Sequence, residues 1–342
     1  MTTTVLPSAG TSAAAGPGRP RTRDRLVSLQ RRIPVVQIIL LVVVFCFGLA
    51  TLPGFGNATS IKSILILSAL VGIAALGQTV VVLIGGIDLS VAGFIVAGAI
   101  MVTQLTSVNK MPFALALLIA FVGAALLGGI VGYLCHRFSV HPIIVTFAMG
   151  SIALGLAQLQ TGGTFGGGAP AWLSQMTSPI TLTLGLPVPP LVAVWVVVII
   201  LVALFLHKTV AGRRLMATGA SPRAAQLVHI STRRVWVLVF AFSAVASVFA
   251  GVFLAGFAGN VDSTLGNPYL FQSIAAVIIG GTIFGGPGDY TRTVVGVLLL
   301  TVLTTVLVGQ GFTGADQQIL YGLVILVAMA VYGRERRLRD QV

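Results

Sequence analysis

The sequence predicts an all-α, polytopic membrane protein of about ten transmembrane helices. Three observations carry that reading. Of 342 residues, 56% are hydrophobic and only 8% are charged. Apolar runs of about 20 residues, the length that crosses a bilayer as a helix, recur along the chain. Basic residues collect at alternate ends of those runs, as the positive-inside bias requires. With 41 glycines besides, the composition excludes an ordinary soluble domain and an outer-membrane barrel. A net charge of +13 on a soluble domain would point to nucleic acid. Here the charge sits at the ends of apolar runs, so topology and anionic membrane lipid account for it and no nucleic-acid partner is expected.

In chain order, residues 1–32 are rich in Ala, Gly, Pro, Ser and Thr and end in Arg19, Arg21, Arg23, Arg25, Arg31 and Arg32. They read as a disordered, basic cytoplasmic tail. The run that follows exceeds the apolar core of a cleaved leader, although Gly48 and Ala50 make a weak cleavage-like pair. Spans are expected near 33–52, 64–84, 89–107, 112–135, 142–160, 190–207, 235–257, 270–285, 293–309 and 317–333, forming one membrane domain over 33–333. A basic cytoplasmic C-terminus, 334–342, completes the chain. Ten crossings place both termini inside and put 18 of the 20 Lys and Arg on that side, leaving only Lys62 and Lys110 outside. A wrong helix count would scatter them.

Two polar intervals interrupt this pattern. Thr161 to Pro190 has no charged side chain and carries GGTFGGG and PVPP. It is expected on the outer face, with Trp172 at headgroup level or against an external partner. Lys208 to Arg234 holds six basic residues and no acid, and is expected inside. Its centre reads as a short helix with Ser221 as N-cap and Pro222 in the first helical position. Such a loop serves either as an orientation signal or as a place where another protein pushes.

Two apolar stretches break at paired glycines. The first, Gly77 to Gly93, breaks at Gly85-Gly86 and restarts after Asp88, with Ser90 following. Asp88 is expected to cap the next helix by accepting backbone N–H bonds, the alternative for an ionisable group in such a place being a functional site. The second, Ser273 to Leu300, breaks at Gly280-Gly281 and again at Gly285-Gly286. Interrupted helices at corresponding places in two halves can mark a transport path, and the competing explanation is small-residue helix packing. Polar residues within spans are Gln78, Thr79, Gln158 and Gln272, which line a path or pair between helices.

Other chemistry is excluded. No phosphate-binding loop of the G-x-x-x-x-G-K-[ST] type, no H-E-x-x-H and no G-x-S-x-G occurs, so no bound ATP or other cofactor and no enzymatic activity are expected. Cys46 and Cys135 provide neither a disulfide framework nor metal spacing. His136, His141, His207 and His229 fall near predicted cytoplasmic ends, where interfacial capping explains them without a metal.

These segments resemble the membrane permease subunits of bacterial sugar-type ABC importers, the ribose, xylose and galactose permease family. Gln78, Thr79, Gly85, Gly86, Ile87, Asp88, Leu89 and Ser90 match its GQT…GGIDLSVG mark, with Ala92 inserted before Gly93. Ile274 to Val277, Gly280 to Thr282, Gly285, Gly286 and Gly288 match its IAAVVIGGTSLxGGxG mark. Gly212, Arg213, Ala217, Gly219, Ala224, Ala225 and Ile230 match its cytoplasmic G-R…A-x-G…A-A…G-I pattern. His229 stands where that pattern has glycine, and Leu270 where an acidic residue often precedes IAAV.

The resemblance covers about residues 33–333 and implies the type II-like importer permease fold in the bacterial inner membrane. It implies a second permease copy, a cytoplasmic ABC ATPase that consumes the ATP, and an extracytoplasmic solute-binding protein that delivers the substrate. The 208–234 loop would contain the coupling helix, through Gly219, Ser221, Pro222, Arg223, Ala224, Ala225, Leu227 and Ile230. The substrate implied is a monosaccharide or related polyol, with nucleosides or another small hydrophilic nutrient as the alternative. A self-contained carrier or channel would need a coupling charge near mid-membrane, whereas Asp88, Asp262, Asp289 and Asp316 all fall near predicted helix ends.

Overall fold

A computed structural model describes residues 34–163 and 165–339. The expected basic tail, 1–32, lies outside the described residues, as do the last three positions. Among the described residues, seven helices are long and apolar enough to cross a membrane. They are Ala58–Leu83 (α2), Val91–Thr103 (α3, prolonged by a π turn to Val108), Phe113–Phe138 (α4), Pro142–Gln160 (α5), Pro190–Lys208 (α7), Thr232–Ala258 (α10) and Tyr290–Gly309 (α12). Three shorter apolar helices are Val35–Thr51 (α1), Asn267–Ile279 (α11) and the Gly314–Val327 part of Gly314–Arg339 (α13). Every expected span meets one of these ten helices. α13 continues past Gly333 through the segment expected as a separate basic terminus. Among the described residues no strand forms beyond one bridge between Thr183 and Leu186.

The bundle is built around α2. Every residue from Ser68 to Leu83 is buried, and a helix apolar on all sides has to be surrounded. It is enclosed by α7, α10, α11 and α12. α4, α5 and α7, by contrast, are buried over only about a third of their length, leaving apolar faces for lipid or for another chain. Small residues permit the close approaches. Gly77 abuts α10 so tightly that a Cβ would lie 2.8 Å from the Ser243 Cα.

Deep in the bundle, the Trp195 indole N–H of α7 donates to the Tyr290 hydroxyl at 3.1 Å. That hydroxyl donates to the Gly72 carbonyl of α2 at 2.7 Å. Three helices are thereby pinned at one phenol.

Among the described residues of 161–189 there is one short helix, Ala171–Met176 (α6), which anchors the loop through buried Leu173 against Gly256 of α10. Trp172 is exposed and stacks edge-on against Phe113 at the start of α4, with ring centroids 4.7 Å apart.

Candidate functional site: a basic loop seated on two broken helices

The interval after α7 forms two helices where the sequence suggested one. Val210–Ala220 (α8) starts at Thr209, whose hydroxyl accepts the Gly212 N–H at 3.0 Å. Pro222–Leu227 (α9) is the expected short helix, with Pro222 in its first turn and the Ser221 hydroxyl accepting the Ala224 N–H at 3.3 Å. Thr232 at the start of α10 fastens the end of α9. The Gln226 amide donates to its hydroxyl at 3.1 Å, and the His136 ring of α4 lies 2.9 Å away. The proton of that hydroxyl is therefore free for the imidazole Nε2.

Exposure sorts the residues expected to couple. Pro222, Arg223, Ala224 and Leu227 face outward, Leu227 with 81% of its surface free and Val228 beside it with 67%. Ser221 and Ile230 are half-buried. Gly219 and Ala225 face inward, Ala225 being only 2% exposed. Ala225 therefore packs within its own chain, which corrects the expectation that its side chain meets a partner. Leu227 was among the coupling residues expected from sequence, whereas Val228 beside it and α8 were not singled out. His229 closes the turn after α9 with φ +61°, in the left-handed region that glycine occupies most easily. That is the physical reason for glycine at this place in the resembling family.

Gly219 connects the loop to the membrane. A Cβ there would overlap the Leu83 carbonyl oxygen at the end of α2, so α8 lies directly on that helix end. Immediately beyond is the first glycine break. Gly85 has φ +86° and faces Gly285 of the second break, 3.6 Å from where a Gly85 Cβ would lie. The Gly285 N–H donates to the Val82 carbonyl at 3.0 Å. The two interrupted segments, some 200 residues apart, thus meet beneath the loop. Gly280 serves close packing, since a Cβ there would lie 2.8 Å from the Arg292 carbonyl carbon.

Asp88 is not the N-cap of α3. That position belongs to Ser90, and the carboxylate instead joins the head of α3 to α10 from a fully buried site. Its Oδ1 accepts the Ser90 N–H at 2.8 Å and the Ser90 hydroxyl, and its Oδ2 accepts the Ser243 hydroxyl of α10 at 2.7 Å. Next to it, the Leu89 N–H donates to Thr146 of α5 at 3.0 Å.

The candidate path residues divide. Gln78 is fully buried on α2, and both ends of its amide lack a partner. Thr79 beside it donates to the Ala75 carbonyl at 2.7 Å and stands 3.0 Å from the Thr293 hydroxyl of α12, which must therefore be the donor of that pair. Gln272 is buried on α11, which packs against α2. Gln158 is half-buried on α5, which packs chiefly on α3 and α4, and it does not join the others.

Residues 60–329 match the family described as the permease component of the branched-chain amino acid transport system. The chain belongs to that permease family. It is similar to a probable ABC transporter permease of Sinorhizobium fredii, at 32% identity over 98% of this chain and 99% of that one. It is also similar to the ribose import permease of Haemophilus influenzae, at 31% identity over 88% and 92%. The fructose import permease of Rhizobium meliloti shares 32% identity over 86% and 83%. No solved structure matches it. This ABC permease is thus a transport subunit and a multi-pass protein of the bacterial inner membrane.

Proposed function

We propose that this permease is the pore-forming subunit of an ATP-driven importer that carries a monosaccharide or related polyol inward by alternating access. Both termini lie in the cytoplasm in this reading, and the chain makes ten crossings. An ABC ATPase grips the 208–234 loop and consumes all the ATP, this chain binding none. A solute-binding protein delivers substrate to the outer face, and a second permease copy completes the pore.

One observation carries the reading. A basic loop with an exposed apolar tip is seated, through Gly219, on the carbonyl end of the central helix where the two glycine breaks meet. Force applied to α9 therefore arrives where the backbone of both segments bends most easily.

The chemistry of the interior favours an uncharged, hydroxyl-bearing solute. An amino acid brings an ammonium and a carboxylate, which need charged partners in a low-dielectric site. Among the described residues the only fully buried charged side chain is Asp88, and hydroxyl and N–H donors already occupy it. Gln78, Thr79 and Gln272 offer amide and hydroxyl groups, which suit sugar hydroxyls. The orphaned Gln78 amide in particular has both donor and acceptor to give. The similarity to ribose and fructose import permeases supports the same class.

The test is uptake into proteoliposomes holding the permease, its ATPase and its binding protein. Labelled ribose, fructose, a nucleoside and leucine are compared. ATP-dependent sugar uptake is expected. Uptake of leucine or the nucleoside alone overturns the substrate class, and uptake of any of them without the ATPase overturns the mechanism.

A further inference from the structure

We propose that Ser243 is a positioning residue that sets the axial register between α10 and α3, so that displacement of the coupling loop reaches the outer half of the bundle through the Ser243–Asp88 hydrogen bond. The inference rests on the importer reading above.

Three observations support it. First, α10 begins at Thr232, which is fastened to the coupling helix through Gln226. Ser243 lies eleven residues further on, about 16 Å along the same rigid helix. Movement of α9 is therefore carried to Ser243 without an intervening hinge.

Second, α3 and α10 touch through small residues. A Cβ on Gly98 would lie 2.8 Å from the Val248 carbonyl oxygen, and one on Gly251 would overlap the Ile95 carbonyl. Backbone-to-backbone contact of this kind fixes the separation of the helices but carries no directional bond along the axis. The Ser243–Asp88 hydrogen bond across the interface supplies one.

Third, the carboxylate is committed. Of the donors that reach Asp88, two belong to Ser90 at the head of α3, and Ser243 is the one from another helix. Ser90 starts α3, so the Asp88 side chain moves with that helix. No cation from among the described residues forms an ion pair with Asp88. Loss of the Ser243 hydroxyl would leave Oδ2 buried beside an apolar methyl. The carboxylate would then shift or draw in water, and the register between the helices would no longer be fixed.

The test uses the complete complex with its ATPase in nanodiscs, in a Cys46→Ser, Cys135→Ala background. An environment-sensitive fluorophore is placed at Val210→Cys on the coupling loop, away from the docking tip, or at Val108→Cys at the far end of α3, both exposed positions. ATP with vanadate should change emission at both sites in the otherwise unaltered complex. With Ser243→Ala, the position-210 response should persist while the position-108 response falls at least about tenfold, as loss of a hydrogen bond to a charged group implies. Ser243→Thr, which keeps the hydroxyl, should restore it. If Ser243→Ala does not assemble, Ser243→Cys, of similar size but a weak donor, is read in the same way. A full position-108 response without the hydroxyl, or equal loss at both positions, overturns the inference. A silent position 210 in the unaltered complex overturns the importer reading and this inference with it.

Discussion

The exposed tip of the proposed coupling helix, α9, gives the sharpest test of the docking assignment. Leu227 is 81% free of its own chain, so its removal takes away almost nothing the fold uses. Full burial of a leucine against a partner is worth about 1.5–3 kcal/mol. Leu227→Ala should therefore weaken ATPase binding by roughly ten- to hundredfold, at about 1.4 kcal/mol per decade. Leu227→Asp should weaken it further, because the acid must also be desolvated. Neither change should move the unfolding midpoint of the permease, since surface substitutions usually stay within about 0.5 kcal/mol. Ala225→Glu behaves in the opposite way. At 2% exposure, a glutamate there has no room, so the loop and the yield of folded protein should suffer before docking is reached. Titrating purified ATPase onto nanodisc-embedded variants measures the first effect, and thermal unfolding the second. An unchanged Kd with Leu227→Asp refutes the docking assignment. A stable Ala225→Glu protein that simply fails to bind refutes the inward placement of Ala225.

His229→Gly should stabilise the permease by about 1 kcal/mol by relieving a left-handed residue, seen as a rise of roughly 1–2 °C in the unfolding midpoint; a fall contradicts the backbone reading. Gly219→Ala should cost about 1–3 kcal/mol by overpacking the end of α2, and uptake should fall while the ATPase stays bound; normal uptake would show that this contact transmits nothing. Cysteine labelling should find Pro170→Cys from outside and Arg223→Cys and Pro20→Cys from inside, and a shared side for 170 and 223 ends the ten-crossing topology. The permease alone in liposomes should show neither ATP hydrolysis nor nucleotide-driven sugar uptake, and either activity refutes the division of labour.

The sequence disclosed what depends on local physics. Long apolar runs located the seven span-length helices and the three shorter apolar ones, because a membrane helix must satisfy its backbone internally and clothe it in apolar side chains. Ser221-Pro222 marked α9 for the same local reason. α8 escaped notice because Gly212 and Gly219 lower its helix propensity and its polar face resembles a loop. Thr209, three residues before Gly212, was the capping signal that would have found it. Asp88 was visible, but its partner was not. Ser243 lies 155 residues away, and only its spacing of four from Ser247 on an apolar helix hinted at a polar stripe. The meeting of the two glycine breaks is a tertiary fact with no local signature, and the inward turn of Ala225 depends on how α9 is fastened to its neighbours.

The phenol of Tyr290 limits where this bundle can bend. Its bonds to Trp195 and Gly72 lie where no bulk water stands ready to replace them. Separating α2, α7 and α12 would leave an indole N–H, a hydroxyl and a carbonyl unmatched at once, at several kcal/mol. These three helices must therefore travel as one solid body. Any change of access is left to the glycine-bearing connections at 84–90 and 280–289, which are tied to that body by the Gly285–Val82 backbone bond and the half-exposed Asp289–His207 pair. A membrane machine arranged in this way has a stator, and Tyr290 is the bolt that holds it together.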